Sequence, residues 1–168
     1  IVVWAHNSHL GDARATDMGA AGECNVGQLV REHAGAGNAL LVGFTTYTGY
    51  VAAAREWDAP VERRWVRPAN KDSYEHVFYE SRLDRFFLPL QGPACEPLRE
   101  PLLERAIGVI YRPETELASH YFHTSVLGQF DCIFHLDETS EVEPFDSSEH
   151  WRYREQVQAP SYASSPVR

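Results

Sequence analysis

Apolar residues in this chain gather in short uninterrupted runs and do not alternate with polar ones. Five stand out: "IVVWA" at 1–5, "ALLVGF" at 39–44, "RFFLPL" at 85–90, "AIGVIY" at 106–111 and "FDCIFHL" at 130–136. Continuous runs of this length predict strands buried on both faces, as in a central sheet covered by helices. Between them lie helical signals. "NVGQLVREHAG" offers Asn25 as N-cap, an apolar stripe of Val26, Leu29 and Val30, and Gly35 as a stop. "DSYEHVFYESRL" repeats the design with Asp72 or Ser73 as cap, then Tyr74, Val77 and Phe78, and a late Arg82. "RPETELASHYFHTSVL" places Pro113 and Glu114 where a helix start favours them, so a helix is expected there too. Strands alternating with helices predict an α/β fold with a largely parallel or mixed central sheet flanked by helices.

Length and composition narrow the picture. With 168 residues, one domain is expected, spanning 1–158, followed by a flexible Ser- and Pro-rich tail "APSYASSPVR" at 159–168. The chain opens directly on apolar Ile1, and is expected to be a piece of something longer. A formal net charge of -9 opposes binding to nucleic acid or anionic lipid. Three cysteines without CxxC spacing argue against a disulfide framework and fit reduced cytoplasm. No apolar stretch reaches the roughly 18 residues of a membrane span.

Candidate chemistry gathers at the carboxyl ends of the expected strands, where open α/β sheets bind ligands. "WAHNSH" puts His6, Asn7 and His9 after the first run; Thr45, Thr46 and Tyr47 follow the second, Arg112 the fourth, and His135, Asp137 and Glu138 the last. The His6/His9 pair reads in three ways: as base or water-orienting group, as two ligands of a zinc site, or as loop residues that cap and hydrogen-bond. On the helix expected after Pro113, Glu116, His120 and His123 would share a face. "GAGNAL" precedes a strand and lacks a third glycine, so it is no dinucleotide fingerprint. Ser8 has no nucleophile elbow around it, which disfavours nucleophilic catalysis. "ERRWVRPANK" interleaves Arg63, Arg64, Arg67 and Lys71 with Trp65, and reads as a solvated edge before an anion-binding one.

The stretches "IVVWAHNSHLGDARATDMG", "NVGQLVRE", "LLVGFTTYTGYVAAAREWD" and "AIGVIYRPETELASHYFHTSVLGQFDCIFHLDET" resemble the erythromycin esterase family, nearest the branch sometimes fused to a phosphoribosyltransferase domain. That resemblance implies a hydrolase, metal-independent or of debated metal dependence, that opens an ester, a macrolide lactone in the antibiotic-resistance members, by an activated water; no cofactor is expected. It also implies that His6 and His9 line the active-site cleft as catalytic groups. Trp4, Asn7, Arg14, Arg112 and His120 are the expected substrate contacts, with Arg14 or Arg112 as oxyanion partners. The family's general base and its acidic and arginine companions belong to an N-terminal half outside these residues. The chain is therefore expected to supply one wall of the cleft, to partner that half and a small ester or lactone, and to be inactive alone. The alternative is a non-catalytic module, built on a metal site or pairing with another chain.

Overall fold

The computed structural model describes residues 1–142. The chain enters through "IVVWA" as non-strand backbone, with Ile1 to Trp4 exposed, contrary to the expected first strand: none of the described strands pairs with it. It then forms one short helical turn, α1 (Asn7–Leu10), a 3-10 turn at Ala13–Ala15, and the short α2 (Asp17–Ala20). α3 (Val26–Ala34) starts at Asn25, whose side chain accepts from Gln28 N, and ends at Gly35 with φ 82°, both as the pattern predicts.

The long β1 (Val42–Ala53) follows, then β2 (Glu62–Val66) and α4 (Tyr74–Glu80), which is capped by the Ser73 hydroxyl. β3 (Arg85–Pro89) and β4 (Leu102–Arg105) come next. The region from Pro113 is not one helix. It divides into a 3-10 turn at Pro113–Thr115, α5 (Glu116–Ser119), β5 (Tyr121–Thr124) and α6 (Val126–Gln129), ahead of β6 (Cys132–Thr139). "AIGVIY" contributes no strand, only an isolated bridge between Ile110 and Ala54.

Four strands form a mixed sheet in the order β2-β1-β6-β3, in which only β1 and β6 run parallel. β4 and β5 form a separate antiparallel pair. β1 serves two partners in succession, β6 up to Gly49 and β2 from Gly49 onward. Gly49 sits at the handover with φ 127°, and a Cβ there would lie 2.0 Å from the Thr139 carbonyl oxygen, so only glycine fits. β2, with its arginines, is an edge strand, as its composition predicts.

One face of the sheet is closed. Ile133 of β6 packs with Tyr74 and Phe78 of α4 and with Leu41, Leu90, Leu98, Val126 and Phe130 in the main core. The other face is open: Phe44, Phe134 and Phe87 are neighbours across β1, β6 and β3 and stack in a row, with ring centroids 5.3 and 4.9 Å apart. Phe134 is 39% exposed and Phe87 53%. Burial on both faces, expected from the continuous runs, therefore holds on one face only. No helix among the described residues is long and apolar enough to cross a membrane. The expected boundary at 158 and the tail at 159–168 lie outside the described residues.

Candidate active site: the histidine turn

His6 is the N-cap of α1 and His9 lies in its last turn, so a three-residue spacing brings both imidazoles to one side, 6.4 Å apart between ring centroids. Nδ1 of His6 accepts from the Ser8 backbone N–H at 3.2 Å and meets the Ser8 hydroxyl at 2.9 Å. That contact puts the ring proton on Nε2. Burial lowers the basicity of His6, the neighbouring His9 lowers it further, and the Ile107 carbonyl opposes both. The His6 imidazole is therefore neutral near pH 7. His9 is exposed, and no hydrogen bond engages its ring among the described residues.

Asn7, between them, anchors the turn. Its Nδ2 donates to Phe44 O at 2.8 Å and its Oδ1 accepts from Phe44 N at 3.1 Å, so the amide pairs with β1 as a neighbouring strand would. The second Nδ2 hydrogen goes to Glu104 Oε1 at 3.1 Å. From the other side, Asn25 Nδ2 donates to Ser8 O and Gly11 O, tying α1 to the start of α3. α3 approaches so closely that a Cβ on Gly27 would lie 2.1 Å from Leu10 O. Trp4, 80% exposed, leans on Phe44 with ring centroids 5.3 Å apart, at the margin of the open aromatic face.

The remaining expected contacts are placed otherwise. Arg14 is clamped on Asp12 through Nε at 2.9 Å and Nη2 at 2.6 Å, with Glu32 at 3.6 Å. Arg14, and Arg31 after it, hold the Asp12 carboxyl below its ordinary range against the effect of burial. This guanidinium already has its carboxylate. His120 caps α5 and both its ring nitrogens meet backbone: Nε2 accepts from Arg112 N at 3.0 Å and Nδ1 faces Ala106 O at 3.3 Å. Burial first of all lowers its basicity, and backbone engages both of its ring nitrogens. Arg112 donates to Arg55 O. Among the described residues no hydrogen bond, ion pair or ring contact links Arg112 or His120 to His6, Asn7 or His9. The shared face of Glu116, His120 and His123 dissolves with the helix, since His123 stands on β5 and Glu116 is paired with Arg105 and Tyr111.

Beyond the turn, the middle of the parallel pair, and not its carboxyl end, carries a buried relay: Thr45 Oγ1 to His135 Nδ1 at 2.8 Å, and His135 Nε2 to Asp137 at 3.1 Å. His135 is 1% exposed beneath Phe78 and Phe86, so this chain of contacts braces the core. A shallow depression of ≈ 510 Å³ opens between Arg67, Asn70, Glu114, Glu116 and Tyr121, and no residue of the turn lines it. The described residues contain no group of three or more His, Cys, Asp or Glu side chains able to hold a metal ion. Sequence reasoning missed the buried Glu75, Glu104 and Gln129 beneath the turn. The one available signal was a glutamate directly after two leucines in "LLER".

A mixed α/β sheet with a histidine turn at its rim defines the class of the chain. The family model for erythromycin esterase matches residues 1–139, and the chain belongs to that family. Among solved structures, a Bacillus cereus protein aligns at 19% identity with a TM-score of 0.66, over 82% of this chain and 33% of its own. A succinoglycan biosynthesis protein aligns at 26% identity and 0.63, with the same coverage. An erythromycin esterase mutant in its open conformation aligns at 18% identity and 0.43, over 80% and 31%. The chain thus spans about a third of the length of the solved structures it matches.

Proposed function

We propose that the chain forms one wall of the active site of an esterase-type hydrolase, which opens ester or lactone bonds with an activated water. The observation that carries this reading is the pair of imidazoles on α1, on a chain of the erythromycin esterase family. Ester hydrolysis needs a group to move the proton of water and donors for the developing oxyanion. His9, with its ring nitrogens open, is the group that meets water or substrate. His6, neutral and fixed by Ser8, lines the cleft beside it, and Trp4 offers an apolar surface to the ester. Asn7 holds the turn and is itself fully engaged. The free thiols of Cys24, Cys95 and Cys132 favour a reducing, cytoplasmic setting.

The group that starts the reaction belongs, on this reading, to the part of the fold outside the 168 residues. The open row of Phe44, Phe134 and Phe87 is where that part packs, since contiguous exposed apolar surface marks a contact surface. A hydrolysis assay on activated esters and lactones tests the proposal, using the chain alone and joined to an N-terminal segment of the family. The joined protein should turn over, and His9→Ala should lower its rate about a hundredfold or more. Substantial turnover by the chain alone would overturn the divided site; no turnover by the joined protein on any ester would overturn the hydrolase.

A further inference from the structure

Beneath the histidine turn lie two carboxyl groups that the hydrolytic reading leaves unused. Glu104 of β4 is 2% exposed and Glu75, in the first turn of α4, 1%. Each has one engaged oxygen: Glu75 Oε1 accepts from Arg105 N at 2.9 Å, and Glu104 Oε1 from Asn7 Nδ2 at 3.1 Å. The Oε2 atom of each is buried without a hydrogen-bond partner. The Arg105 guanidinium is committed elsewhere. Arg105 spends Nη1 on Arg67 O and Glu116, and Nη2 on Thr46 O and Tyr47 O.

Asn7 has no hydrogen-bonding capacity to spare. Its oxygen holds Phe44 N, one Nδ2 hydrogen holds Phe44 O, and the other needs Glu104. We propose that Glu104 is a positioning residue for the histidine turn, acting through Asn7 to set where His6 and His9 stand beside the start of β1. The value of that position for hydrolysis rests on the function proposed above; the link itself does not.

A buried carboxylate without a counter-ion is costly, so such a group keeps its proton. Burial, reinforced by the charge of Glu75, raises Glu104 to about 8, against the pull of the Asn7 and Gln129 amides. The groups facing it are Glu75 and the Tyr74 hydroxyl from α4, Asn7 from α1 and Gln129 from α6. None of these is a cation. Loss of the proton leaves a bare charge that tightens both amides and repels Glu75, so the turn must move when Glu104 ionises.

Nuclear magnetic resonance on the full 168-residue chain reads this directly, through the Asn7 side-chain amide and the His6 imidazole between pH 6 and 10. In the wild type the Asn7 amide and the His6 ring should shift together with a midpoint near 8. Glu104→Gln, which keeps an acceptor for Asn7, should hold the wild-type positions at pH 6 and lose the step. Glu104→Leu, which keeps the bulk and removes the acceptor, should displace the signals at every pH. A wild type without the step, or a step that persists in Glu104→Gln, overturns the proposal. If circular dichroism finds Glu104→Leu unfolded, the wild-type and Gln curves decide alone. These spectra need no turnover, so this link and the proposed hydrolysis fail separately.

Discussion

Phe86 and Phe87 are consecutive on β3, and Ile133 and Phe134 on β6, yet each pair divides between two environments. Phe86 and Ile133 lie under α4, against Phe78 and beside His135. Phe87 and Phe134 stand on the far side in an open aromatic row. Strand alternation sends neighbours to opposite faces, so nothing local separates the members of a pair except what covers each face. On the closed face the imidazole of His135 has both ring nitrogens engaged, in the Thr45–His135–Asp137 relay. The histidine turn stands at the margin of the open face, where Asn7 grips the backbone of Phe44 and Trp4 leans on its ring. A surface apolar enough to be a core, beside a turn of half-engaged histidines, is the physical case for a site completed by a further layer.

The largest way to break this comparison is to hollow out the closed face. Phe130→Ala removes a side chain that is 1% exposed and should destabilise by about 3–5 kcal/mol, read from denaturant unfolding. A loss no greater than that of an open-face truncation would show that the two faces are packed alike.

The next effect sharpens the comparison through pH. Glu104 titrates near 8 in the folded chain against an ordinary 4.5, so between those values the folded state binds more protons than the unfolded state. Stability should therefore fall as pH rises across that window, with a slope of at most about 1.4 kcal/mol per pH unit. Glu104→Gln should remove that slope and gain on the wild type from pH 5 to pH 8, measured as urea midpoints. Parallel curves for the two proteins would contradict a protonated Glu104.

The smallest effect lies on the open row. Phe134→Ala should change stability by under about 1 kcal/mol, because much of the ring already meets water. It should also lower self-association and dye binding in light scattering and fluorescence. A large loss of stability would mean that the row is already covered.

Much of this was legible in the chain. The Asn25 and Gly35 bounds of α3, the Ser73 cap of α4, and the runs that became β3 and β6 follow from local chemistry, and the "HNSH" turn drew attention at once. What failed depended on distant partners. "IVVWA" has the composition of a strand but pairs with none of the described strands, and its side chains are exposed. The helix expected after Pro113 stops where His120 turns both ring nitrogens to backbone, and β5 then pairs with β4. In the site, the histidines were visible as types and spacing. Glu104 was not, because its role comes from Asn7, a residue 97 positions away. Nor does the sequence show that the whole Asn7 amide is engaged, with Phe44 and Glu104.

The central claim is that the histidine turn, and not the loop carrying Arg112 and His120, faces the ester. Steady-state hydrolysis by the joined protein compares the two most directly, through His9→Ala and Arg112→Ala measured on one activated ester. The account predicts a fall in kcat/KM of about a hundredfold or more for His9→Ala, and a value near wild type for Arg112→Ala. The reverse order, with His9→Ala unimpaired and Arg112→Ala disabled, would contradict it.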